Sequence, residues 1–238
     1  MKKNMGPRRG PSTKLSKNSI WARRGISTNL PKDKRWEKPW WVVYEESAIP
    51  RRKLYVEKIM NHRPESVLEL GCAGGCNINF FPEDIMKNIT GVDINEAAIK
   101  FAKDKNLGCE FLSGDITKKW DTFGIKDQKF DIVCSMGTLI HISPKNIDFV
   151  LKNMINSCSK GIILIEGSWP RDEGVDVHNP YETQVAGKPT PQYIYNIPEK
   201  INRLSQDEFT FSYIDLPDNM RNRDVRFGSL KIIEAIRK

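Results

Sequence analysis

No apolar run in the chain approaches the ~18 consecutive residues needed to span a bilayer, and no apolar segment follows its basic N-terminus as a secretory signal requires. These two absences predict a cytoplasmic protein without membrane contact. Histidine is scarce, with three residues, and cysteine numbers five. Of Cys72, Cys76, Cys109, Cys134 and Cys158, only the first two lie close in sequence. No second pair or histidine cluster completes a zinc set. The expectation is therefore no metal, and small buried thiols in a reducing compartment. Internal repeats are absent too.

With 238 residues, 39% apolar and 29% charged, the composition is that of an ordinary globular domain. A chain of this length buries roughly 70% of the surface its unfolded form exposes. The net charge of +8 is unevenly spread. Residues 1–40 hold twelve Lys and Arg against only Asp33 and Glu37, a net +10, and the remainder is −2. The division predicted is a basic, disordered arm over residues 1–35 and one domain over 36–238. Aromatic residues cluster where the arm ends: Trp36, Trp40, Trp41 and Tyr44. A helix follows, with Leu54, Tyr55 and Ile59 on one face, ending near Asn61 ahead of Pro64.

From there strands alternate with helices. Strands are expected at 66–70, 89–93, 110–112, 130–135 and 162–166. Helices are expected from about Asn77, over 96–105 and from Pro144 to about Cys158, the last capped by Ser143 and stopped by Gly161. This alternation implies a mostly parallel sheet with right-handed crossovers. An irregular stretch of about thirty residues follows Glu166, and such length in a compact domain is usually functional. We assign 167–200 as a lid over the acceptor. A short helix near 198–204 and a closing β-hairpin, with strands at 209–216 and 230–235, end the chain.

The chemistry concentrates at strand ends. A buried strand runs into Gly71, Gly74 and Gly75, where the backbone can turn tightly and approach a ligand. In an open α/β sheet this first turn lies at the ligand-binding edge. Glu69 supplies a carboxylate beside it. Asp93, 22 residues beyond Gly71, stands where a ribose diol is held, although it could equally cap the next helix. Asp115 follows the third strand, placed for an adenine amino group or for a local Asx turn. The three acids in this order and spacing argue for a ligand together more strongly than each does alone.

These residues resemble the class I S-adenosylmethionine-dependent methyltransferases over about residues 48–238. Glu69-Leu-Gly71-Cys-Ala73-Gly74-Gly75 is similar to their first motif, Asp93 to their ribose-binding acid, Asp115 to their adenine-side acid, and Phe130–Ser135 to their fourth-strand motif. The resemblance implies a Rossmann-like, doubly wound α/β fold with a seven-stranded sheet and an antiparallel C-terminal hairpin strand. It also implies S-adenosylmethionine as cofactor, contacted by Glu69, Gly71, Ala73, Gly75, Asp93, Ile94, Asp115, Ile116 and Ser135. Gly137–Pro144 resembles a subset acting on small metabolites, including methylases associated with sugar pathways. Ala73 departs from the family, which commonly has glycine there. A nicotinamide dinucleotide fits less well, because Glu69 would set a negative charge near its phosphates and the last small residue of that fingerprint is Cys76.

On the acceptor side, His141 is a candidate catalytic base or a packed histidine, and Glu166 a candidate catalytic acid–base group or a cap. Trp169 joins them at the strand end, and His178, Asn179 and Tyr181 belong to the expected lid. Three functions remain open: methylation of a small polar or anionic acceptor on oxygen or nitrogen, with a sugar or nucleotide-linked sugar among the candidates; RNA modification with residues 1–40 neutralising phosphates; and cofactor binding without catalysis. The Asn-Pro-Pro-Tyr motif of base-amino methyltransferases is absent after the fourth strand, where Ser135-Met-Gly-Thr138 stands instead. Paired catalytic cysteines of carbon-5 pyrimidine enzymes are absent as well. For Trp40 and Trp41, packing against the domain competes with nucleic-acid stacking.

Overall fold

The computed structural model describes residues 41–42, 48–105, 107–125, 127–167, 183–185, 188–190, 193–217, 220 and 230–238. The basic arm, Trp40, Trp169, His178, Asn179 and Tyr181 lie outside them. The chain runs α1 (Ile49–Met60), β1 (Val67–Leu70), β2 (Ile89–Asp93), α2 (Glu96–Asp104), β3 (Glu110–Ser113), β4 (Phe130–Met136), α3 (Pro144–Ser157), β5 (Cys158–Gly167), β6 (Thr183–Val185), β7 (Lys188–Thr190), α4 (Ile197–Ser205), β8 (Phe209–Asp215) and β9 (Leu230–Arg237). The main sheet has seven strands in the order β3-β2-β1-β4-β5-β9-β8, and β6 pairs with β7 apart from it. Strands β1 to β5 are parallel, and β9 inserts antiparallel between β5 and β8.

The sequence makes this arrangement because the central strands are apolar on both faces. All four residues of β1 are buried, as suits a parallel strand covered on both sides. Leu68, Val133 and Leu164 face α3 and α4, while Val67, Ile132 and Ile163 face α1 and α2. The helices begin where local chemistry favours it. Asn95 accepts the N–H groups of Ala97 and Ala98, both at 3.1 Å, and opens α2. Pro144 starts α3, but the Ser143 hydroxyl makes no cap bond. Only the Ser143 carbonyl closes that first turn, at 2.8 Å from Asn146 N and 3.1 Å from Ile147 N.

Two sequence expectations are corrected. Gly161 does not stop α3: the helix ends at Ser157, and Gly161 lies within β5. A Cβ there would meet the Ala235 carbonyl oxygen at 2.7 Å, so this glycine permits the close approach of β9. The helix expected from Asn77 is a single 3-10 turn, Ile78–Phe80. Pro82 follows at once and prevents continuation. Trp41 is buried against Ala73, Cys76 and Ala98, as the packing reading expects. All five cysteines are free thiols, four of them buried. Among the described residues no helix is long and apolar enough to cross a membrane.

Candidate cofactor and acceptor site

The strand order turns outward at β1 and β4: β2 and β3 continue on one side, and β5, β9 and β8 on the other. The carboxyl ends of β1 and β4 are thus the switch point, the place where open α/β sheets bind ligands. The loops after these two strands touch there. Thr138 Oγ1 donates to the Leu70 carbonyl at 3.3 Å. A Cβ on Gly71, which has φ +74°, would fall 2.0 Å from that same Thr138 oxygen.

The turn itself is held by β2. Gly71 N and Cys72 N both donate to the Val92 carbonyl, at 2.7 and 3.0 Å. Ala73 N donates to Asp93 Oδ2 at 2.9 Å, and Asn95 N to Asp93 Oδ1 at 2.8 Å. Asp93 therefore does not cap α2, a task left to Asn95. It ties the glycine turn to the end of β2, with lone pairs remaining on both oxygens. Burial raises its pKa, and the N–H groups of Asn95 and Ala73 act against that rise.

Ala73, at the position of the family's usual glycine, adopts φ +51°. The left-handed region costs a non-glycine residue roughly 1–2 kcal/mol. Ala73→Gly relieves this strain but enlarges the freedom of the unfolded chain by roughly 0.5–1 kcal/mol. A small net gain, about 0.5–1 kcal/mol, is expected in chemical denaturation. A lower midpoint with unchanged slope would show that the methyl contact with Trp41 outweighs the strain.

Glu69 is fully buried beneath the turn. Its Oε1 accepts from Asn77 Nδ2 at 2.6 Å, and Asn77 Oδ1 in turn accepts from Arg52 Nη1 at 2.7 Å. Glu69 Oε2 is buried without a hydrogen-bond partner. Burial pushes the Glu69 carboxyl up to about 7, against the lowering effects of Asn77 and Arg52. A buried carboxylate oxygen left open beside a glycine turn fits a cationic amino group. It suits the amino-acid end of S-adenosylmethionine and opposes a pyrophosphate.

The remaining expected cofactor residues surround the same edge. Asp115 uses Oδ1 in an Asx turn, accepting from Thr117 N at 3.0 Å and Thr117 Oγ1 at 2.7 Å. Both readings of Asp115 are thus compatible, since Oδ2 stands outside that turn. Ile94 is half-buried and Ile116 buried at the ends of neighbouring strands. Gly75 has φ +76°, and a Cβ there would lie 3.0 Å from Phe111 Cζ. Ser135 is fully buried and gives its hydroxyl to Glu166 Oε1 at 3.1 Å.

Glu166 is fully buried as well. The same Oε1 accepts from Thr138 N at 2.9 Å and Leu139 N at 3.0 Å. It caps the 3-10 turn Leu139–His141 and fixes the loop that meets Gly71. Burial raises its carboxyl to about 7, countered by the Leu139 and Thr138 N–H groups and the Ser135 hydroxyl. Glu166 therefore holds the loop with one oxygen, and its Oε2 is buried without a hydrogen-bond partner. His141 is half-buried on the turn that Glu166 holds. Among the described residues no cluster of His, Cys, Asp and Glu could hold a metal ion.

Sequence reasoning missed Thr138, Asn77 and Arg52. Arg52 carried a readable signal: it lies on the same buried stripe of α1 as Tyr55, Val56 and Ile59, and a charge on an apolar stripe asks for a partner.

The strand order and the acid-flanked glycine turn have the layout that the sequence resemblance implies. Comparison with known proteins agrees: residues 67–161 match the family described as a methyltransferase domain. Phosphoethanolamine N-methyltransferase 1 of Zea mays is 32% identical over 97 residues, 39% of this chain and 19% of that protein. The cyclopropane-fatty-acyl-phospholipid synthase of Escherichia coli (strain K12) is 28% identical over 136 residues, 56% of this chain and 34% of that protein. The chain thus spans only a fifth to a third of the length of these relatives. A crystal structure of magnesium protoporphyrin IX methyltransferase from Synechocystis PCC 6803 with bound S-adenosylmethionine superimposes with a TM-score of 0.51, at 15% identity. The match covers 83% of this chain and 81% of that one and shows the shared fold.

Proposed function

We propose that this protein transfers a methyl group from S-adenosylmethionine to an oxygen or nitrogen of a small polar acceptor. The observation that carries this reading is the buried, unpartnered Glu69 Oε2 beside the glycine turn. Likeness to a phosphoethanolamine N-methyltransferase supports a small polar acceptor.

When bound, the sulfonium supplies an electrophilic methyl carbon and a neutral thioether leaving group. The residues of this chain contribute position. Glu69 receives the amino group, Asp93 the ribose hydroxyls and Asp115 the adenine amino group, while Gly71 and Gly75 let the backbone come close. Alignment of this kind is worth up to roughly 7–11 kcal/mol of barrier. His141 takes the proton of the acceptor hydroxyl or ammonium on a ring nitrogen. Glu166 keeps the His141 turn in place.

Incubation with methyl-labelled S-adenosylmethionine and separated metabolite and RNA fractions tests the acceptor. Label is expected in small polar metabolites, with little dependence on salt. Label in RNA that falls steeply with salt would replace this reading by phosphate-directed binding. Cofactor binding without turnover on any fraction would overturn the catalytic claim.

A further inference from the structure

The chain from Arg52 to Asn77 to Glu69 spans three parts of the fold: α1, the 3-10 turn after the glycines, and β1. Arg52 is only 6% exposed and Asn77 is equally buried. A guanidinium is not taken out of water without a polar partner, because desolvation of a charge is costly. One partner here is the Asn77 amide, which relays without carrying charge itself. Asn77 accepts from the cation with its oxygen and donates with its nitrogen to Glu69, so the two charges face each other through one side chain. That arrangement favours the ionised form of the carboxyl and aims it. The open oxygen, Oε2, is the one left for a ligand.

We propose that Arg52 is a positioning residue of the cofactor site, acting through Asn77 to keep Glu69 anionic and turned toward the cofactor's amino group. The inference rests on the proposed use of Glu69 for that amino group. It makes α1 part of the binding machinery, through Arg52.

The groups facing Glu69 define what titrates with it. Among the described residues they are Arg52 and Tyr55 from α1, Cys72 in the turn, Asp93 from β2, Cys109 ahead of β3 and Cys134 from β4. Burial raises Tyr55 and the three thiols above their ordinary values, so they stay neutral near neutral pH. Arg52 is the one cation among the six.

The sign follows from proton linkage. With the empty-site Glu69 near 7, a cationic amino group selects the anion and expels a proton, so affinity rises with pH and levels off above that value. S-adenosylhomocysteine is the suitable probe, because it keeps the amino group and lacks the sulfonium. Its affinity for the wild-type chain is expected to be about tenfold weaker at pH 6 than at pH 8. Methylthioadenosine, without the amino-acid portion, is expected to show no such slope.

Arg52→Gln keeps a donor for Asn77 but removes the charge. The affinity midpoint is expected to move up by about one pH unit, making S-adenosylhomocysteine about fivefold weaker at pH 7. Arg52→Lys is expected to fall between the two. Should Arg52→Gln fail to fold, Asn77→Ser breaks the relay without touching Arg52 and is expected to raise the midpoint likewise. A variant that weakens both probes equally at every pH, with the wild-type midpoint kept, would reduce Arg52 to a packing role and overturn the proposal. If instead the wild-type chain binds S-adenosylhomocysteine with no slope at all, the use of Glu69 for the amino group fails first. No binding at any pH would remove the methyltransferase reading itself.

Discussion

Replacing Gly71 by alanine is expected to destabilise the domain by about 2–5 kcal/mol and to abolish cofactor binding. Two penalties coincide at this position. The backbone holds φ +74°, where a side chain is strained, and the new Cβ would stand 2.0 Å from Thr138 Oγ1. Relief by moving Thr138 would break its bond to the Leu70 carbonyl and shift the loop that Glu166 caps. The glycine is therefore required by contact between two loops at the switch point as well as by turn geometry. Thermal unfolding with and without S-adenosylhomocysteine checks this, and a Gly71→Ala protein that melts and binds like wild type would contradict the packing described. A Gly71→Ala, Thr138→Ala double variant is expected to recover part of the steric penalty but not the backbone strain.

Glu166 gives the second large effect. Glu166→Ala leaves two backbone N–H groups and the Ser135 hydroxyl without their acceptor in a buried site, and a loss of about 3–5 kcal/mol is expected. Glu166→Gln keeps an acceptor oxygen in the same place and is expected to be mild. Its pH dependence is more informative. With the folded carboxyl raised to about 7 by burial and the unfolded one near its ordinary value of about 4.3, the native state binds the extra proton between those values. Stability contributed by this group is thus complete at low pH, falls as pH rises through that window, and is flat above it. Glu166→Gln removes the slope. Relative to wild type it is expected to gain roughly 3 kcal/mol on going from about pH 4 to pH 8. Urea midpoints across that range would show it, and a constant difference between the two proteins would mean that Glu166 is ionised throughout.

Much of the fold was legible because it rests on local periodicity. The boundaries of β2 are those expected, and α2, α3 and β4 differ by a residue at one end. Runs such as Ile162–Ile165 read as buried strands, and Asn95 and Pro144 stand where helices begin. Gly161 misled because a glycine that ends a helix and one that admits a neighbouring strand look alike until β9, over seventy residues later, is in place. The turn after Gly75 does not become a helix because Pro82 arrives too soon, a signal present in the sequence. The placement of the three acids at or after strand ends was legible because their spacing follows the strands. A cap was legible for Glu166, but its partners Ser135, Thr138 and Leu139 were not, since they lie 27 to 31 residues away and meet it only when β4 pairs with β5. Arg52 was readable as an anomaly on an apolar stripe, but its partner Asn77 was not.

The central claim is that the turn between Leu70 and Asn77, held by Asp93, binds S-adenosylmethionine. Calorimetric titration of the full chain with S-adenosylhomocysteine, beside an Asp93→Ala variant shown to be folded, tests it most directly. The account predicts roughly micromolar binding by wild type, weakened about 100-fold or more in the variant through loss of charge-assisted ribose contacts. A folded wild-type protein that binds neither S-adenosylhomocysteine nor S-adenosylmethionine would contradict it and return Glu69 and Asp93 to purely structural roles.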